Sequence, residues 1–495
     1  MTRTLLSIDQ GTTSTRAILF SEKGEVLDIE QKELKLVFPQ KGWVEQDANE
    51  IWDDVVHVVG AVLGRAKEVG NLPVCVGITN QRETTVVWDR RIYQPVYNAI
   101  VWQDRRTAEY CSQLKEEGFE EVVSDKTGLL IDPYFSGTKL RWILDNVEGV
   151  RARAEKGELA FGTVDSYVLY RLTNGQIHAT DATNASRTML YNIPSGMWDD
   201  DLLKKFNVPN DLLPDVLPNI SNFGQIDASL FDVPDLHVGG MAGDQQAALI
   251  GQACFEQGQV KSTYGTGCFA LMNVGSEFKK SENRLLTTIA YQIGDDVTYA
   301  LEGSIFVAGA AIQWLRDNVE FFANAAESQG FAESVPDSNG VYFVPAFTGL
   351  GAPYWDPDAQ ALICGLTRES NKAHITRAAL EAQGFQTKDL MAAMEDDSGL
   401  KLETIRADGG LVANDFVCQF LADILDCEVQ VPKVAEATAW GAACLAGVQA
   451  GVFESLQGIG SKWKSEKSFS PKMRTETRTS LYDGWKQAVG MLIKN

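Results

Sequence analysis

The sequence predicts a mixed α/β chain made of two similar halves, and three observations carry that prediction. Its 495 residues exceed what one hydrophobic core usually holds, so two or more domains are expected. Strand-like apolar runs alternate with helix-period segments along the chain. A strand–turn–strand pattern at the start, "SIDQGTTSTRAIL", returns halfway as "STYGTGCFALM", alike in pattern though not in letters. The halves divide near Gly251, giving residues 1–250 and 251–495.

The elements follow in order. The opening reads as a meander of "TLLSIDQ", "TRAILF" and "VLDIEQKEL", joined by "GTTS" and "SEKGE". "IWDDVVHVVGAVLGRAKEV" has helical period, with Asp47 or Asn49 as its N-cap. "LPVCVGITN" is a continuous apolar strand of the kind buried on both faces. "GQVKSTYGTGCFALMNVG" is strand, Gly-Thr turn, strand, and "VPKVAEATAWGAACLAGVQAGVF" and "SLYDGWKQAVGMLIKN" read as helices, the latter closing the chain.

Composition narrows the function. The chain is 44% hydrophobic and 22% charged, as in an ordinary globular protein. A net charge of −23 argues against a nucleic-acid partner or an anionic membrane surface. An anionic small ligand would need a local positive site of a few Arg residues and backbone N–H groups. "MTRTLLSIDQ" reaches a charge before any apolar core of signal-peptide length, and "IFVAGAAI" is far too short to span a membrane. The eight Cys show no C-x-x-C spacing and are expected as buried free thiols in a reducing cytoplasm. The four His, at 57, 178, 237 and 374, lie too far apart in sequence to suggest a metal site or a His base.

The opening stretch poses the chemical question. Asp9 stands where an apolar residue would continue the strand, and Thr12, Thr13, Ser14 and Thr15 precede a lone cation, Arg16. Such a turn is either an ordinary polar hairpin or a phosphate grip with a metal-organising Asp at its mouth. No G-x-x-x-x-G-K-[ST], G-x-G-x-x-G, H-E-x-x-H or G-x-S-x-G occurs, so phosphates would be held without a P-loop lysine. Four further segments matter. Asp244 opens a helix after glycines in "GGMAGDQQAALIG", as N-cap or as a hydroxyl base. Arg82 and Glu83 follow a buried strand, as a surface ion pair or as a donor fork and acceptor for neighbouring hydroxyls. Asp408-Gly409-Gly410 opens an amphipathic helix, and Gln313 lies one turn beyond Gly309 in "GSIFVAGAAIQWLRD".

Together "SIDQGTTSTRA", "GITNQRETTVVW", "VWQDRRT", "AGDQQAAL", "STYGTGCF", "GAPYWDP" and "DGGLVAND" resemble the glycerol kinases, which belong to the FGGY carbohydrate kinases. "YFSGTKLRWILDN" and "ALICGLTRESNKAHITRAALE" are similar to that family's own patterns, and the resemblance spans nearly the whole chain. It implies two actin/hexokinase-like, ribonuclease H-like α/β domains flanking a cleft for ATP and substrate. It also implies ATP-dependent phosphorylation of glycerol to sn-glycerol 3-phosphate in glycerol catabolism, with Mg²⁺, and assembly as a homodimer or homotetramer. By resemblance Thr12, Thr13, Ser14 and Arg16 form one phosphate grip and Thr266 the other. Gly309, Gln313, Gly410 and Asn414 line the nucleotide pocket, and Asp9 organises Mg²⁺ through water. Glycerol sits among Arg82, Glu83, Trp102, Tyr134, Asp244, Gln245 and Phe269, with Asp244 as general base. Lys139 and Trp142 are expected to be structural, and His237 lacks the context of a phosphorylated regulatory histidine. Two rival readings exist: a sister kinase for a pentose, gluconate or longer polyol, and an actin-like ATP-hydrolysing scaffold. "NQRE" and "WQDRRT" argue against the first, and the Arg82/Glu83/Asp244 set would be unexplained in the second.

Overall fold

In the computed structural model, residues 3–356, 358–434 and 436–493 are described. Pro357 of "GAPYWDP" and the last two residues of the closing helix segment lie outside them. A five-stranded sheet runs Val238–Gly243, Val76–Asn80, Thr4–Gln10, Ser14–Ser21, Val26–Glu33. A seven-stranded sheet runs Leu286–Ile293, Asp296–Ile305, Cys268–Gly275, Val260–Tyr264, Thr404–Asp408, Glu428–Pro432, Ser465–Phe469.

The repeated hairpin sits at the same place in both sheets. Thr4–Gln10 is antiparallel to Ser14–Ser21 and parallel to Val76–Asn80, which is parallel to Val238–Gly243. Val260–Tyr264 is likewise antiparallel to Cys268–Gly275 and parallel to Thr404–Asp408, which is parallel to Glu428–Pro432. Val76–Asn80 is buried throughout, as its uninterrupted apolar run requires.

Local chemistry sets the ends of the elements. The Asp47 side chain accepts from the Asn49 N–H at 2.8 Å and starts the helix Ala48–Glu68. Ile51, Val55, Val58, Val62 and Ala66 form its buried stripe, and Arg65 and Lys67 stand in the last turn, where cations suit the helix dipole. The glycine pair at 409–410 departs from expectation. Gly409 has φ +96°, which no right-handed helix accepts, so a short 3₁₀ turn, Gly410–Ala413, intervenes. The α-helix opens only at Asp415, where the Asn414 side chain caps the Val417 N–H at 3.3 Å.

Two helices cross between the sheets. Asp244–Gly251 leaves the five-stranded sheet and packs on Val260–Tyr264 and Cys268–Gly275. Ala437–Gln449 comes from the other half and packs on Thr4–Gln10, Val76–Asn80 and Val238–Gly243. Where they meet, a Cβ on Gly441 would lie 1.8 Å from the Ala247 carbonyl oxygen, and one on Gly251 would lie 1.9 Å from that of Ala437. Glycine is required because backbone meets backbone. Leu5, Ile18 and Phe20 consequently share one core with Leu249, Leu271, Trp440 and Leu445.

Gly441→Ala should therefore destabilise the fold by about 1–3 kcal/mol or more, read as a fall in the unfolding midpoint. Gly64→Ala, in a helix and with nothing beyond its own helix backbone within 4 Å of the new methyl group, should leave it unchanged or raise it slightly. Equal stability of Gly441→Ala and wild type would contradict the close crossing.

Candidate active site

The strand Val76–Asn80 hands the chain to Gln81, Arg82 and Glu83. Glu83 takes φ +61°, a left-handed conformation that costs a non-glycine residue energy and must be held by its surroundings. Its carbonyl accepts from Ser136 Oγ at 3.0 Å and Thr85 Oγ1 at 3.1 Å. Arg82 and Glu83 are 3% and 1% exposed, so they are no surface ion pair.

Two residues the sequence reading did not single out complete the arrangement. Arg82 donates to both oxygens of Glu302, at 2.6 and 2.9 Å. Arg187 donates to Glu83 at 2.6 Å and to Glu302 at 3.1 Å. Arg82 and Glu83, by contrast, are 3.8 Å apart. Charges thus alternate in the order Glu83, Arg187, Glu302, Arg82, all buried, and each desolvated charge has an opposite neighbour. Burial pushes the Glu302 carboxyl up, but Arg187 and Arg82 together bring it down to about 2. Burial raises the Glu83 carboxyl against the pull of Arg187 and Arg82. Glu302 belongs to Asp296–Ile305 of the seven-stranded sheet, so this knot ties the sheets together. Its signal was a carboxylate inside the strand "VTYALEGSI"; Lys261 in "GQVKSTYG" gives the same signal.

A half-exposed rim lies beside the knot. Asp244 is the first residue of its helix, 34% exposed, with Oδ1 3.2 Å from Arg82 Nε and 2.7 Å from the Gln245 backbone N–H. Burial raises its carboxyl above the usual range, opposed by Arg82 and Lys261. The Tyr134 hydroxyl is 3.5 Å from Arg82 Nη2, and its ring meets Trp102 edge-on at 5.6 Å. Trp102 meets Phe269 at 6.5 Å, and its indole N–H donates to Thr12 Oγ1 at 2.9 Å. Arg82, Glu83, Trp102, Tyr134, Asp244, Gln245 and Phe269 are brought together, and Trp102 links them to the first hairpin. Lys139 lies beneath, fully buried, its ammonium donating to the Tyr134 carbonyl at 2.6 Å.

The first hairpin turn closes with Gly11 N–H donating to the Ser14 carbonyl at 2.9 Å, leaving Thr13 exposed and Thr12 and Ser14 half-buried. Arg16 is paired across the ladder with Asp9 and reaches Glu436 at 2.7 Å, so its guanidinium lies between two carboxylates. In the second hairpin Thr266 is exposed, and its carbonyl accepts from the Ala308 and Ala310 N–H groups at 2.9 and 3.1 Å. A Cβ on Gly309 would lie 2.6 Å from the Gly265 carbonyl, so this turn and the start of the helix Gly309–Asp317 need glycine to approach. Gln313 is exposed one turn on, and Gly410 faces open space. Asn414, 9% exposed, is engaged locally as a helix cap and as a donor to Ser328 at 3.3 Å. Among the described residues no three His, Cys, Asp or Glu side chains are grouped to hold a metal ion. Asp9 is a buried carboxylate already paired with Arg16, which fits Mg²⁺ carried on phosphates and water better than a dedicated protein cage.

The N-terminal domain of the FGGY family of carbohydrate kinases matches residues 4–251, and the C-terminal domain matches residues 260–450. A glycerol kinase of Nitrosomonas eutropha is 60% identical over 489 residues, covering 99% of this chain and 98% of its own. One from Rhodospirillum rubrum is 56% identical over 485 residues, covering 98% of each. A crystal structure of Plasmodium falciparum glycerol kinase with ADP superposes with a TM-score of 0.96 at 35% identity, over 100% of this chain and 99% of that one. Gluconate kinase from Lactobacillus acidophilus, at 22% identity and a TM-score of 0.89 over 99% of this chain and 98% of its own, shares the fold. The two-domain α/β architecture expected from the sequence is the one found, and the chain belongs to the FGGY family of carbohydrate kinases.

Proposed function

We propose that this kinase transfers the γ-phosphoryl group of ATP to a terminal hydroxyl of glycerol, giving sn-glycerol 3-phosphate and ADP. The observation that carries the reading is Asp244: a half-exposed carboxylate fixed by Arg82, beside a buried charge knot and an aromatic wall. The full-length identity to glycerol kinases supports glycerol over the sugars of sister kinases. The halves 1–250 and 251–495 would then be the two domains, each supplying one phosphate hairpin, and the family matches at 4–251 and 260–450 support that division. No helix among the described residues is long and apolar enough to cross a membrane. A place in the cytoplasm, in glycerol catabolism, rests on the resemblance. Assembly as a homodimer or homotetramer rests on the resemblance alone.

Asp244 accepts the proton of the attacking hydroxyl as that oxygen advances in line on the γ-phosphorus; the ADP oxygen leaves on the opposite side. Arg82 holds the carboxylate in place through Nε, and Glu83 and Gln245 meet the remaining hydroxyls. Trp102, Tyr134 and Phe269 cover the carbon skeleton and keep water from the acceptor's place. Thr12, Thr13, Ser14 and Arg16 on one hairpin, and Thr266 on the other, grip the phosphates through hydroxyls, a guanidinium and backbone N–H groups. Gly309, Gln313, Gly410 and Asn414 would line the nucleotide side. Mg²⁺, when bound beside Asp9, supplies charge neutralisation on the phosphates. Positioning accounts for most of the rate, since phosphoryl transfer leaves little covalent work for the protein.

ADP release with Mg·ATP should depend on glycerol in the wild type and fall about 10²–10⁴-fold in Asp244→Asn, with nucleotide affinity retained. Turnover that ignores glycerol, or survives this substitution, would sink the reading. A pH dependence follows from burial at Asp244. Because its carboxyl is raised, it stays protonated to a higher pH than an ordinary Asp, and a protonated base cannot accept. The kcat/KM for glycerol should therefore rise with pH along an acid limb centred above the ordinary Asp value of 3.8. Asp244→Asn should lack that limb.

A further inference from the structure

Lys261, on the strand Val260–Tyr264 of the seven-stranded sheet, is fully buried. The charges of Asp408, Asp244 and Glu302 act on it, and its ammonium donates to Oε1 of Gln245. A lysine ammonium carries only donors. The end of the Gln245 amide that meets it must therefore be the oxygen. Nε2 is then turned away from Lys261 and finds no partner among the described residues, while Gln245 itself is half-buried at the rim beside Asp244. Without such a neighbour a glutamine can present either end to a ligand.

We propose that Lys261 is a positioning residue that fixes Gln245 as a hydrogen-bond donor to the acceptor substrate. The rim then offers one donor amide next to one accepting carboxylate. A neutral hydroxyl satisfies both by taking a bond from Gln245 while its neighbour gives a proton to Asp244. The inference rests on the glycerol reading and deepens it: the lysine, contributed by the half opposite Asp244 and Gln245, sets the polarity with which one hydroxyl is recognised.

The test compares kcat/KM for glycerol, propane-1,2-diol and propane-1,3-diol in wild type, Lys261→Met, Gln245→Leu, the double variant and Gln245→Glu. Between them the diols lack the terminal or the central hydroxyl. In the wild type, glycerol should be preferred over the diol lacking the hydroxyl that Gln245 meets. That preference should fall about tenfold in Lys261→Met, the worth of one hydrogen bond. It should fall equally in Gln245→Leu and no further in the double variant, because the lysine acts through the glutamine. Gln245→Glu keeps a partner for Lys261, so it serves even if Lys261→Met does not fold. It presents only acceptors and should lose the same preference. A uniform loss for all three acceptors in Lys261→Met, multiplying effects in the double variant, or a preserved preference in Gln245→Glu would overturn the inference. Wild-type enzyme inert with glycerol would overturn the glycerol reading and the inference together. Wild-type turnover with an unchanged preference in the variants would overturn the inference alone.

Discussion

The two-pronged bond between Arg82 and Glu302 is the constraint on which the site depends. It joins an arginine that follows one sheet to a glutamate within the other, where neither charge meets bulk water. Taking one such ion out of water costs several kcal/mol unless a partner with good geometry offsets it. Arg187 and Glu83 extend the pair so that every charge in the knot has an opposite neighbour. The guanidinium so fixed keeps Nε 3.2 Å from Asp244 Oδ1, an ion pair at the edge of the knot. The left-handed turn at Glu83 follows from the same requirement, since the knot and the Ser136 hydrogen bond hold that residue in a conformation it would otherwise leave. The proposed base is thus placed by a network reaching into both halves, rather than by its own helix alone.

The crossing helices give this network its setting. Each packs on the sheet of the opposite half, and glycine at 251 and 441 lets their backbones touch. Helix Asp244–Gly251 carries the proposed base at one end and a crossing glycine at the other. Any rotation of one half against the other must therefore be accommodated at the crossing or at the knot. The proposed base and the joint between halves share a single short element.

Much of this was legible in sequence, for physical reasons. Repeated strand–turn–strand patterns, an Asp cap before a periodic helix and an apolar strand are local signals, and the element types read from them are found. The glycine pair at 409–410 misled because a glycine can open a helix or break its start, and only the backbone angle at Gly409 decides. Arg82 and Glu83 stood out as neighbours in the chain, yet the stronger partners, Glu302 and Arg187, are 220 and 104 residues away. Spacing carries no information on such pairs; only a charge inside a buried strand hints that a distant partner exists. Arg16 read as a lone cation for the same reason, while in the fold it bridges Asp9 and Glu436.

The most direct measurement offers the enzyme Mg·ATP with equimolar glycerol, D-xylulose and gluconate and identifies the phosphorylated products by ³¹P NMR. A single organic phosphomonoester, glycerol 3-phosphate, is the predicted result. A sugar phosphate or phosphogluconate as the main product, or inorganic phosphate with no organic phosphate, would contradict it.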